Sequence, residues 1–283
     1  MKNLLIIITV IQTMTSLSQN KDIKLQNLFG DLKSMKSVDY KAVEKFGEIS
    51  KGNSFENYSG LTNSTFTIFN EDGYIIELNT YDKNNILLFK EKYIYNDENK
   101  LLETNYYENN GKLHSKYKYN YSYNSIRINN YDYEGNLVGY EIKKTDSNGN
   151  VIEAINSLGY KHIYKYNSKG NITERLHYFS DESNFNRKRI YIYDSLGNLI
   201  EEKMTHSDGS FGDLSKYKYD NLGNKIEELT YVNKDLDSYK KILKYEFEEK
   251  RNSFFNNKKN WIKCIEFING KPKKITERKL NYY

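Results

Sequence analysis

Between residues 61 and 283, short polar clusters separate runs in which apolar or aromatic side chains alternate with polar ones. Such alternation predicts β-strands, because successive side chains of a strand point to opposite faces. The clusters are tetrads that usually begin with Asp or Asn and usually end with Gly or Asn: 70–73, 82–85, 96–99, 108–111, 132–135, 146–149, 167–170, 194–197 and 220–223. Asp or Asn suits the first position of a type I turn, and Gly or Asn tolerates the positive φ that follows it. The pattern therefore predicts antiparallel hairpins closed by a type I turn and a G1 bulge.

One hairpin unit, Tyr-x-Tyr-Asp-x-x-Gly-Asn-Leu/Lys-Ile-x-Glu, occurs at 191–202 and 217–228, with a weaker copy at 164–174. A three-residue loop would place Tyr193 opposite Leu199 and Tyr191 opposite Glu201. Stacked hairpins would then build ladders of tyrosines across the sheet. Both faces carry apolar and charged residues. We therefore predict an all-β fold in which antiparallel hairpin repeats form one long, twisted and curled sheet, open or partly barrel-like.

The two ends of the chain depart from the repeat. Residues 1–19 read as a signal peptide, with Lys2 before an apolar run, and predict an exported protein that is periplasmic, secreted or at the cell surface. Residues 20–60 form an irregular N-terminal cap, in which 35–40 could be a first strand. Residues 61–283 form the repeat domain, and its basic closing hairpins occupy 240–283. There, Asn269-Gly270 predicts a tight turn, and Pro272 suits an outer strand.

The repeated unit resembles the YD repeat of bacterial rearrangement-hotspot (RHS) proteins, over roughly 61–228. The RHS pattern usually has Gly-Arg where this chain has Gly-Asn. Large members of that family coil their repeats into a hollow shell around a toxic C-terminal domain. The resemblance implies a repeat-built β fold, here in a small version without a toxin domain, and it implies little about activity.

Charge and reactive residues narrow the classes of function. The net charge of +5 is too mild to predict a nucleic-acid partner. Residues 240–283 are basic, which fits either an anionic partner or a solvated sheet edge protected by Lys. The single cysteine, Cys264, excludes an internal disulfide, and we expect it to be buried. The four histidines are scattered and the glutamates recur with the repeat, so we predict no enzyme, no metal and no cofactor.

Two hypotheses about function remain. The first is a binding module of the cell envelope for a glycan, peptide or protein partner, in which Tyr191, Tyr193, Tyr217, Tyr219 and Trp261 contact the ligand. The alternative is a structural scaffold or surface protein with no small-molecule ligand, in which the tyrosines only hold the sheet together. No later stretch approaches the roughly 20 apolar residues of a membrane-spanning helix. The sequence does not give the oligomeric state.

Overall fold

The fold is described from a computed structural model, which describes residues 22, 27–55, 64–180, 183–232, 238–247 and 260–283. The regular elements of these residues are strands, and all of them belong to one sheet. They are β1 (Leu32–Lys45), β2 (Glu48–Ser54), β3 (Ser64–Phe69), β4 (Ile75–Tyr81), β5 (Leu87–Tyr95), β6 (Leu101–Glu108), β7 (Leu113–Ser122), β8 (Ser125–Asp132), β9 (Leu137–Thr145), β10 (Val151–Asn156), β11 (Lys161–Tyr166), β12 (Ile172–Tyr178), β13 (Arg187–Tyr193), β14 (Leu199–His206), β15 (Phe211–Tyr219), β16 (Lys225–Tyr231), β17 (Ser238–Phe247), β18 (Trp261–Ile268) and β19 (Lys271–Tyr282).

All the predicted tetrads are confirmed as turns. In each, the fourth residue donates its N–H to the carbonyl of the first and has a positive φ, as in Gly197 at 91° and Asn85 at 61°. The Asp194 carboxylate accepts hydrogen bonds from the backbone N–H and the side-chain amide of Asn198, at 2.8 and 2.9 Å. The hydrogen bond from the Asn198 side chain lowers the pKa of Asp194. The Asn that follows the Gly thus completes each turn that begins with Asp132, Asp146, Asp194 or Asp220. Two further turns of this kind, at 156–159 and 206–209, were not predicted.

The register inside the hairpins differs from the prediction by one residue. Tyr193 lies opposite Leu199 as expected, but the register shifts next to it and Tyr191 lies opposite Glu202. The same shift places Tyr217 opposite Glu228. A second bulge therefore follows each of these turns, and Glu202, not Glu201, shares a face with the tyrosines.

The prediction of an open or partial sheet is wrong, because the sheet closes. Strand β1 pairs with β19 from Leu32↔Tyr282 to Lys41↔Lys274 and, on its other side, pairs with β3. Strands β1 and β3–β19 therefore form a closed barrel of 18 strands, and β2 pairs with the end of β1 outside the ring. The strand that joins the two edges comes from the segment predicted to be an irregular cap. Strand β19 is consequently not an outer strand, although Pro272 precedes the part paired with β1.

The hairpin turns alternate between two ends of the barrel, since consecutive strands are antiparallel. We call end A the end with turns 70–73, 96–99, 146–149, 167–170, 194–197 and 220–223. End B has turns 82–85, 108–111, 132–135, 156–159, 206–209 and 269–270. An apolar cluster that includes Leu28, Leu32, Met35, Phe69 and Leu280 lies at end A. It packs the first residues of the described chain against the seam between β1 and β19.

The two faces of the sheet differ in exposure. Lys165 and Lys218 on one face have side chains 66% and 69% exposed, whereas Arg189 and Asp213 on the other are 26% and 25% exposed. Side chains converge inside a closed barrel and spread apart outside it, so we assign the more buried face as the inner wall. A circular barrel of 18 strands, spaced about 4.8 Å apart and tilted about 40°, would be about 35 Å across.

Candidate functional site: the inner wall

Six tyrosines of the inner wall join neighbouring hairpins near end A. Tyr193 donates its hydroxyl to the carbonyl oxygen of Ile172 at 2.8 Å. Ile172 is the first residue of β12, the strand that follows the end-A turn 167–170 in the preceding hairpin. The other pairs are Tyr95 with Ile75, Tyr121 with Leu101, Tyr166 with Val151, Tyr219 with Leu199 and Tyr245 with Lys225, at 2.6 to 2.9 Å. We call these contacts the tyrosine clamps. They give the second Tyr of the repeated unit a role in folding.

The four tyrosines predicted to contact a ligand all lie on the inner wall, on β13 and β15. Tyr191 is only 3% exposed. Tyr193 and Tyr219 use their hydroxyls in the clamps. The ring of Tyr217 lies 4.8 Å from the Lys225 ammonium, and its hydroxyl lies 3.4 Å from Glu202. Burial raises the pKa of Tyr193 and Tyr217 to about 12. The structure groups these residues, and ligand binding by them stays a prediction.

Trp261 lies elsewhere on the inner wall. The pattern of alternation predicts Lys263 and Phe267 on the same face as Trp261, but a bulge pairs Trp261 with Phe247 and turns its indole towards Tyr245, 5.4 Å away between ring centroids. Strand β18 is five positions from β13 and three from β15 in the ring, or about 24 and 14 Å along the sheet. The structure therefore does not bring Trp261 together with the four tyrosines.

Charged side chains on the inner wall are paired across strands. Arg189 forms a hydrogen bond with Glu202 and two more with the Asp213 carboxylate, at 3.1 and 3.2 Å. Lys225 contacts Glu228 at 2.9 Å. These groups offer hydrogen-bond donors and acceptors to anything polar that enters the barrel.

Two histidines that appear scattered in the sequence meet on the inner wall. His162 Nε2 lies 2.6 Å from His177 Nδ1, and the Tyr164 hydroxyl lies 3.2 Å from His162 Nδ1. Burial lowers the pKa of His162 to about 4 and also lowers that of His177. The turn at 167–170 alone would place His162 opposite Leu176, and the bulge next to Tyr166 shifts the register so that His177 lies opposite His162. The sequence therefore carried no clear signal for this pair. No group of three or more His, Cys, Asp or Glu residues suited to a metal ion occurs in the described ranges.

The first described residues cover part of end A. Asp22 accepts a hydrogen bond from the Ile75 N–H at 2.7 Å, and burial raises the pKa of Asp22. Asn27 donates to Leu222 and Asn224, and the Phe29 N–H donates to Asn260. The contacts thus reach from β4 to the β15–β16 turn, which are on opposite sides of the β1–β19 seam.

Comparison with known proteins does not establish a family. No protein-family model matches the chain, and no curated protein matches it. The chain is similar to a solved porin-like protein from Bacteroides uniformis, with 9% identity and a TM-score of 0.46 over 88% of this chain and 98% of that one. It is also similar to a TcdB2-TccC3-Cdc42 structure, with 11% identity and a TM-score of 0.27 over 82% of this chain and 16% of that one. A protein of unknown function from Bacteroides fragilis shows 16% identity and a TM-score of 0.23 over 53% of this chain and 96% of that one.

In the part of the chain that the structure describes, helices of the length and apolarity required to cross a membrane are absent.

Proposed function

We propose that this protein is an exported, non-enzymatic binding protein of the cell envelope that holds a glycan against the inner wall of its barrel. The observation that carries the proposal is the composition of that wall, where tyrosine rings alternate with paired charged groups. It is supported by Tyr106 and Tyr117, whose rings pack edge to face 5.6 Å apart, beside the Glu91 carboxylate that accepts the Tyr93 hydroxyl at 2.6 Å.

The chemistry of a glycan matches this wall. A sugar ring presents C–H groups on its faces and hydroxyls around its edge, so it needs flat apolar surfaces beside hydrogen-bonding groups. Tyrosine rings supply the surfaces, and the carboxylates and cations supply the hydrogen bonds. Export belongs to the same proposal and rests on residues 1–19, which lie outside the described residues. A relation to YD-repeat proteins, proposed on the repeated unit alone, would fit a secreted shell-like fold.

A glycan array followed by calorimetry tests the proposal. The mature protein, without residues 1–19, is screened at low and moderate salt, and hits are titrated into wild type, Y117A and Y131A. Tyr117 lies on the inner wall, and Tyr131 lies on the other face, where Lys118 approaches its ring at 5.8 Å. We expect Y117A to weaken binding about tenfold, as losing one stacked ring costs about 1 kcal/mol or more. Y131A should bind as wild type does.

The result that overturns the proposal is an array with no retained glycan, or binding that Y131A weakens as much as Y117A does. A purely structural scaffold is then the better account. The tyrosine clamps favour that alternative, because they give the tyrosine hydroxyls a role that needs no ligand.

A further inference from the structure

Arg278 is a largely buried cation on the inner wall. Its guanidinium carbon lies 3.4 Å from the centre of the Trp261 ring, a stacked arrangement. Its Nε and Nη1 atoms are buried and, among the described residues, find no hydrogen-bond acceptor. A buried donor without a partner destabilises a folded chain, and more so when the donor is charged, so these two unpaired donors of a guanidinium call for an explanation.

Neighbouring cations on the inner wall, in contrast, each have an acidic partner. Lys225 lies 2.9 Å from Glu228, Lys241 lies 3.8 Å from Glu266, and Lys274 lies 3.1 Å from Asp39. Arg189, six strands away on β13, contacts two carboxylates. Arg278 therefore differs from them: it is stacked and largely buried, and no acidic side chain of the described ranges is in contact with it.

The residues packed around Arg278 hold its side chain in place. Trp261 stacks on it, Tyr245 packs against Trp261, and Cys264, 7% exposed, lies on the same face of the adjacent strand. Leu280, two residues further along β19, belongs to the apolar cluster at end A. Aromatic rings beside a guanidinium with unpaired N–H donors suit a ring-shaped ligand that carries an oxyanion.

We propose that Arg278 and Trp261 form an anion subsite, which binds a carboxylate, sulfate or phosphate group of an acidic glycan. Guanidinium donors pair with such groups in a planar, often bidentate geometry. The ligand chemistry rests on the proposed function, since a glycan would present the oxyanion here, while the recognition of the anion itself depends only on Arg278 and Trp261.

Binding of a small anion to the subsite, without a glycan, is tested by fluorescence. Trp261 is the only tryptophan of the chain, so its emission reports directly on this subsite. Acetate, sulfate and phosphate are each titrated into the full mature protein at constant ionic strength, and into R278Q and R127Q. Arg127 is the matched control, since its guanidinium stacks 4.2 Å from the Tyr140 ring and donates to Asn129, on the other face of the sheet. We expect a saturable change in emission for wild type and R127Q, and none for R278Q.

The glycan is tested by calorimetry with oligogalacturonate, a sulfated oligosaccharide and maltohexaose. We expect one acidic series to bind, the neutral series to bind at least tenfold more weakly, and R278Q to remove that preference by a loss of roughly 10–100-fold in affinity. If neutral and acidic glycans bind alike and R278Q changes neither, the anion subsite is refuted while the proposed function stands. If small anions change the emission but no glycan binds, the subsite stands and the glycan proposal fails.

Stability of the free protein separates a ligand site from a structural role. Removing an unpaired buried cation should leave the melting temperature of R278M equal to that of wild type or raise it. A clear fall in the melting temperature of R278M, with no anion effect in wild type, would show that Arg278 serves the fold and would overturn the proposal.

Discussion

The tyrosine clamps make the sharpest prediction about the fold. The Tyr193 hydroxyl donates to the Ile172 carbonyl at 2.8 Å and thereby ties β13 to the start of β12 near end A. Y193F removes only this hydroxyl and keeps the ring. A hydrogen bond between neutral groups contributes about 1 kcal/mol net, and losing it leaves a partly buried carbonyl with one partner fewer. We therefore expect Y193F to lower the free energy of unfolding by about 1 kcal/mol.

The measurement is equilibrium unfolding in urea, followed by far-ultraviolet circular dichroism. Y133F is the control, because Tyr133 is 68% exposed and its hydroxyl donates to the neighbouring Glu134. An exposed hydroxyl of this kind should change stability by less than about 0.5 kcal/mol. The urea midpoint should fall for Y193F at an unchanged slope, and stay constant for Y133F.

Coupling between clamps gives a second readout. The acceptor of Tyr219 is Leu199, which lies directly opposite Tyr193, so these two clamps share a hairpin. Y193F and Y219F should therefore show an interaction energy, whereas Y193F and Y95F, on distant strands, should add. If Y193F unfolds at the same midpoint as Y133F, the clamps do not stabilise the barrel, and their tyrosines are free to serve a ligand.

The buried His162 makes stability depend on pH. Its pKa is about 4 in the folded chain, so as pH falls through about 6.5 the unfolded chain binds a proton that the folded chain does not bind. Between about pH 6.5 and 4, wild type should lose roughly 2 kcal/mol more stability than H162Q in urea unfolding, after allowance for solvent screening, and equal pH slopes would contradict this. R189M leaves the carboxylates of Glu202 and Asp213 facing each other without their cation, so thermal unfolding should show a loss of about 2 kcal/mol that added salt reduces. G197A forces a Cβ onto a residue at φ 91° and should cost about 1 kcal/mol, whereas N85G, at φ 61°, should be neutral or slightly stabilising by the same unfolding assay.

The turns could be predicted from the sequence because their chemistry is local. Asp194 and Asn198 bond within five residues, and Gly197 adopts its positive φ within the same turn. Nothing distant changes these preferences, so each tetrad specifies its hairpin by itself. The burial of Cys264 was predicted for a similar reason, since it lies in an apolar strand.

Closure of the barrel could not be predicted because it depends on pairing between the two ends of the chain. Strand β1 contains no repeated unit and no turn tetrad, and its partners in β19 are more than 200 residues away. The second bulge after each turn was also missed, because no single residue type marks it. That bulge decided which glutamate joins the inner wall, and a similar one turned Trp261 inward.

The repeat explains how many charged side chains of the described strands find their partners, and Arg278 lies outside the repeat. On the outer face, Glu174 bridges Lys165 and Lys188, and Glu227 bridges Lys218 and Lys240 in the same arrangement. Because the unit recurs, a charge on one strand meets its partner on the next at a fixed register. Arg278 lies where β19 meets β1, and there Ser37 stands opposite it. Lys274, on the same strand, still meets Asp39 of β1 at 3.1 Å. Arg278 has no acidic residue opposite it in the seam, and it is the cation that the proposed anion would bind.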